Sequence, residues 1–183
     1  MVHEILSIKL IKPYVGSSIY VWTSVLSITL TGLAIGYFLG ASLSKKNQLK
    51  HLTSLLMVAS ILLVLTPVYS SLILPITIYM QLKTGTLVAA LLIILPVMIL
   101  LGTASPLIIQ QLNTLKNNNG NSTGIIYSIS TIGGILFTII TVYVAIPCIG
   151  VRLSYALFGS VLLVCNLLVF FFSKKMSNPI SNA

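Results

Sequence analysis

From residue 19 to residue 43 the chain carries no charged side chain, and about 20 apolar residues in helical form are enough to cross a bilayer core of roughly 30 Å. That one fact narrows the fold sharply. A backbone in hydrocarbon must satisfy its own N–H and C=O groups, which leaves helices or closed barrels. Four further apolar runs, 52–74, 85–112, 124–146 and 153–172, are separated by charged or Pro/Gly/Asn-rich points. None shows the short alternating segments of a membrane barrel. The sequence therefore predicts an all-α integral membrane protein. It is a polytopic helical bundle of five full spans preceded by a short or truncated N-terminal helix, with one domain over 1–173 and a polar, disordered tail over 174–183.

Charge supports this reading and excludes another. The 183 residues are 57% hydrophobic and only 6% charged, where a soluble domain carries about 25%. Ten Lys or Arg face a single acid, Glu4, a balance that in a soluble protein would suggest nucleic acid. Here the basic residues sit at the ends of spans, where they set orientation and meet anionic lipid, so nucleic acid is not an expected partner. Alternating five spans puts Lys45, Lys46, Lys50, Lys116, Lys174 and Lys175 on one side and Lys9, Lys12, Lys83 and Arg152 on the other. The larger group predicts that loops 44–51 and 113–123 and the C-terminus are cytoplasmic, in a plasma membrane. On that side the acceptor pattern Asn121-Ser122-Thr123 reads as a turn, not a glycosylation site.

Catalytic chemistry lacks its residues. With no aspartate and one glutamate there is no Ser-His-Asp set. His3 and His51 are too few for a metal site without carboxylate or thiolate support, and no Gly-rich phosphate loop is present. Cys148 lies at the end of one span and Cys165 about a dozen residues, roughly 18 Å, into the next, too far for a disulfide. The chain is expected to be neither an enzyme nor a carrier of a metal or cofactor.

The first twelve residues, MVHEILSIKLIK, predict a helix too short to cross, either lying at the interface or forming part of a span. An acid within the membrane suggests function by default, so Glu4 and Lys9, about a turn apart, form a candidate polar pair. Against this stands a Glu4 resting in water or headgroups. Pro13 is expected to end the helix, and Gly16, Ser17 and Ser18 to form a turn that caps the next one or, less commonly, receives an anion. Gly32, Gly36 and Gly40 recur every fourth residue, as do small residues where helices pack closely. Their stripe is expected to face a neighbouring helix, in this chain or in a homo-oligomer. Thr131, Gly134, Thr138 and Thr141 make a second small-and-hydroxyl stripe, for packing or for lining a polar path. Pro67 predicts a kink, and residues 102–105, between Pro96 and Pro106, predict a kink or break. No internal repeat is apparent.

Several blocks, in order, carry a family resemblance over nearly the whole chain: EILSIKLIKPYVGSSIYVW, GLAIGYFLGASL, LPVMILLGTASPL, and GIIYSISTIGGILFT followed by IPCIGVR. The sequence resembles the membrane part of the fused spermidine synthase-like proteins, in which transporter-like membrane helices precede a soluble catalytic domain. The resemblance implies that Glu4 belongs in a first span and that Lys9 stands where the family often has Arg. Two departures matter: the first span is shorter than in that family, and no catalytic domain follows. The expectation is therefore a noncatalytic membrane module in the lipid bilayer that anchors or cooperates with a separate soluble spermidine-synthase-like protein. The alternatives are a small-molecule transporter or channel subunit, for a polyamine or another small solute, and an assembly or structural subunit.

Overall fold

The computed structural model describes residues 1–43, 48–116 and 119–177. Every element among them is helical: α1 (Val2–Val15), α2 (Ile19–Leu43), α3 (Gln48–Thr77), α4 (Leu82–Lys116), α5 (Asn119–Ile140), a π-helical turn (Thr141–Ala145) and α6 (Ile146–Ser177). Four helical stretches are long and apolar enough to cross a membrane: Ile19–Leu43, His51–Thr77, Leu82–Gln111 and Thr123–Phe171. The chain is thus a helical membrane protein, and its last apolar stretch, at 49 residues, is far longer than one crossing needs.

That long stretch folds back on itself. Gly150 interrupts it with φ 78° and ψ 171°, a region of backbone space open essentially to glycine alone. The rings of Phe137 and Phe158 then lie 6.3 Å apart, edge to face, whereas a straight helix would separate them by about 30 Å. Gly16 adopts nearly the same conformation, φ 83° and ψ 178°, and turns α1 into α2. Both glycines end a Pro-x-x-Gly sequence, Pro13-Tyr14-Val15-Gly16 and Pro147-Cys148-Ile149-Gly150. One local device therefore builds both hairpins.

The smallest helix is the hub. Instead of lying at an interface, α1 touches every other helix, and His3, Leu6, Ser7, Ile8, Leu10 and Ile11 are buried. It runs through Pro13 to Val15, beyond the expected end. Proline costs the helix one N–H, but the Gly16 N–H still reaches the Lys12 carbonyl at 2.8 Å, and the turn comes where Gly16 leaves helical geometry. Around this hub α2 packs along α4, while α3 bridges α4 and α6.

The glycine stripe of α2 is what admits α4. A Cβ at Gly32 would come within 2.8 Å of Met98 Cβ, at Gly36 within 2.5 Å of the Ile99 carbonyl oxygen, and at Gly40 within 2.6 Å of Pro106 Cγ. Backbones this close gain the dispersion contacts that hold helices together in lipid, where no hydrophobic drive is available. The face is filled from within the chain, so it is not free to pair with a second copy.

Other sequence expectations need correction. Residues 113–123 do not form a loop throughout: α4 continues to Lys116 and α5 begins at Asn119. Helix also extends into the expected loop 44–51, from Gln48, and into the expected tail, to Ser177. Helical hydrogen bonding is local, so polar residues at a span's end prolong it into the interface at little cost. Residues 44–47, including Lys45 and Lys46, and 178–183 lie outside the described residues. Helix α4 is continuous through 102–105 with Pro96 and Pro106 inside it, so of the kink or break expected there, the break is not found. No serine hydroxyl caps α2 in the way expected: the Ser18 Oγ has no hydrogen-bond partner, and its backbone carbonyl accepts from the Val21 N–H at 3.2 Å.

Candidate functional site

Polar groups in a membrane interior are expensive unless paired, and several of the buried ones meet around the first half of α1. The Ser7 hydroxyl donates to the His3 carbonyl at 2.7 Å and lies 2.8 Å from the Tyr155 hydroxyl. With the serine proton used on the carbonyl, Tyr155 donates to Ser7 Oγ. Tyr155 also reaches the His3 carbonyl at 3.4 Å, and its ring meets the His3 imidazole edge to face at 5.7 Å. Ser7 and Tyr155 are fully buried. A helix-turn apart on α1, His3 and Ser7 thus receive a residue of α6 that lies some 150 positions on in sequence only because Gly150 turns the chain back.

Beside this knot is a cavity of about 550 Å³ whose wall includes His3, Glu4, Thr29, Met98, Tyr155 and Phe158. Glu4, the only acid in the sequence, is 17% exposed there, with a carboxylate oxygen 4.0 Å from the Met1 amino group. His3 is buried, and neither ring nitrogen has a hydrogen-bond partner; the buried Thr29 hydroxyl has none either. An imidazole offers a donor and an acceptor when neutral, so the wall presents unsatisfied groups of both kinds next to a carboxylate. A pocket of 300–1,000 Å³, mostly apolar with a few convergent polar groups, is the ordinary form of a small-molecule site.

The structure separates some predicted site residues and unites others. Glu4 and Lys9 are not brought together: Glu4 faces this cavity, while Lys9 is exposed and lines another at the far end of α1. Gly16 makes the α1–α2 turn, Ser17 is exposed, and Ser18 is partly covered. Gly32, Gly36 and Gly40 serve the α2–α4 contact. The second stripe divides. Thr131 is exposed and donates to the Tyr127 carbonyl at 2.7 Å, and a Cβ on Gly134 would find only Met1 Cγ, at 3.7 Å. Thr138 Oγ1 is buried without a partner, and Thr141, at the π turn, is fully buried and donates to the Phe137 carbonyl at 2.6 Å. These four do not line either cavity described here.

Sequence reasoning missed His3, Ser7, Thr29 and Tyr155 as a group, and Asn166, whose buried amide donates to the Thr53 carbonyl of α3 at 2.8 Å. An asparagine in the last apolar run was a readable signal, since membrane interiors rarely hold an amide without a partner. Among the described residues no three His, Cys, Asp or Glu side chains gather to hold a metal ion. No protein family, no curated protein and no solved structure matches this chain.

Proposed function

We propose that the chain is a noncatalytic, multi-pass membrane module that binds a small polar solute in the α1 cavity and works beside a separate soluble enzyme of the spermidine-synthase-like kind. The observation that carries the solute site is the meeting, at one cavity, of the sole carboxylate with the unsatisfied nitrogens of His3 and hydroxyl of Thr29. An amine suits that wall: Glu4 supplies opposite charge, His3 an acceptor, and the Tyr155 and Phe158 rings supply π faces for a cation. The enzyme partner is supported by the ordered sequence blocks and rests on that resemblance.

In this reading Gly150 is a turn between two crossings, making five spans with α1 as a partial sixth. The cytoplasm lies at the end where α2, α4 and α6 finish. The test is purification of the tagged chain in mild detergent, with mass spectrometry of what accompanies it and thermal unfolding in the presence of putrescine or spermidine. Stabilisation by an amine that Glu4→Gln abolishes is the expected result for the solute site, and recovery of a soluble aminopropyltransferase-like protein is the expected result for the partnership. An unchanged melting temperature with every amine overturns the first, and purification of the chain alone overturns the second.

A second reading, a transporter subunit, is favoured by the cavity's position, since its wall draws on α1, α2, α3, α4 and α6, so that relative motion of helices would open or close it. Amine uptake into liposomes, present in wild type and at background in Glu4→Gln, is the result that would select transport.

A further inference from the structure

At the opposite end of α1 lies a second cavity, of about 630 Å³, between the two Pro-x-x-Gly turns. Lys9 and Tyr14 come from one side, Gly150 and Arg152 from another, and Ser70 and Ser71 from α3. Its charge is one-sided. Two cations line it, and the only acidic side chain in the sequence, Glu4, belongs to the other cavity. The protein therefore has no carboxylate side chain to neutralise them. Lys83 adds to the positive field of this end but is otherwise engaged, its Nζ 5.4 Å from the centre of the Tyr20 ring.

The hydroxyls do not supply the recognition. Ser70 donates to the Pro67 carbonyl at 3.1 Å and Ser71 to the Val68 carbonyl at 2.6 Å, so their protons are spent within α3. Charge and shape fall to Lys9 and Arg152. The guanidinium is a planar fork that matches phosphate oxygens two at a time, and the ammonium is a mobile point charge that can follow it. Gly150 sets the fork in place: its left-handed turn starts the final helical segment two residues before Arg152, on the cavity wall.

We propose that this cavity is an anion site, in which Arg152 and Lys9 together bind a phosphate group at the membrane interface. A phospholipid headgroup and a free phosphate share that chemistry, and both are small enough for the space. The site is independent of the amine cavity, since the two share no residue, and it stands or falls separately.

The test uses the full chain in mild detergent with three probes: phosphatidylglycerol, diacylglycerol of the same acyl chains, and inorganic phosphate. Native mass spectrometry reads retained lipid, and thermal unfolding reads stabilisation. Wild type is expected to bind a phosphate-bearing probe, with Lys9→Gln and Arg152→Gln each weakening it about tenfold, the scale of one lost charge-assisted hydrogen bond. Lys83→Gln, a charge loss at the same end outside the cavity, should leave binding unchanged, and Lys9→Arg should retain it. Retention of phosphatidylglycerol but not diacylglycerol, with no response to phosphate, assigns a lipid. Stabilisation by inorganic phosphate assigns a free anion. The proposal is overturned if neither phosphate probe binds, if both lipids bind alike and phosphate has no effect, or if Lys83→Gln weakens binding as much as Arg152→Gln. Both cavity side chains are exposed, so the variants are expected to fold, and elution as wild type on gel filtration checks it.

Discussion

Replacing Gly36 by alanine would put a methyl group 2.5 Å from the Ile99 carbonyl oxygen and 2.9 Å from the Gly102 Cα. Both obstacles are backbone, so neither can rotate aside, and relief requires α2 and α4 to part by about 1 Å, the shortfall from an ordinary contact of about 3.5 Å. A gap of that size forfeits a quarter to a half of each contact it stretches, and a buried leucine's share is 40–60 contacts of about 0.1–0.2 kcal/mol each. Loosening that much of the interface costs roughly 2–3 kcal/mol, in line with the usual cost of overpacking. Alanine also favours helix over glycine by about 1 kcal/mol, so Gly36→Ala must be compared with Gly133→Ala, where an added Cβ meets nothing within 4 Å. Reversible unfolding of the two variants in the same detergent is the assay. Equal stability of the two, or a Gly36→Ala variant as stable as wild type, would refute the close-packing argument.

Three further outcomes follow from the same structure. Gly150→Ala should lose about 1–3 kcal/mol from backbone strain alone, because the site has free space but φ is 78°; a melting temperature equal to wild type would contradict the turn. Ser7→Ala should cost more than Tyr155→Phe, about 1–3 against about 1 kcal/mol. The first leaves a buried tyrosine hydroxyl with only a 3.4 Å contact to the His3 carbonyl, and the second removes that hydroxyl; the reverse order in thermal unfolding would invert the assigned donor pattern. Asn166→Asp places a carboxylate at a buried position facing the Thr53 carbonyl and should cost at least about 2.5 kcal/mol, whereas expression and stability at wild-type level would place Asn166 in contact with water.

What could be read in advance was whatever depends on one segment at a time. Long uncharged runs specify helices because hydrocarbon forbids any other open backbone, and Gly32, Gly36 and Gly40 specify a close neighbour because no side chain stands between. The identity of that neighbour was not legible: α4 is chosen by Gly102, Thr103 and Pro106, some 65 residues away along the chain, and nothing in the spacing on α2 names them. The central place of α1 was not legible for a related reason. Twelve residues are too short to span, and shortness alone leaves a surface and a part-span equally open, yet five other helices can pack around a short helix and bury one side of it. The Ser7–Tyr155 contact crosses 148 positions, and such pairing leaves no periodic trace. The repeated Pro-x-x-Gly turn was legible as letters, but its meaning lay in two backbone conformations that letters do not print.

Those two turns give the molecule unequal ends. Where α1 meets α2 only residues 16–18 lie between helices, and where the last apolar run doubles back a single glycine is enough. The α3–α4 connection at the same end is only residues 78–81, with Tyr79 exposed. At the other end α3 starts at Gln48, α4 reaches Lys116 and α6 reaches Ser177, so polar helix extends past the apolar spans. One end of the bundle is thus closed by short connections, and the other carries the polar helix ends.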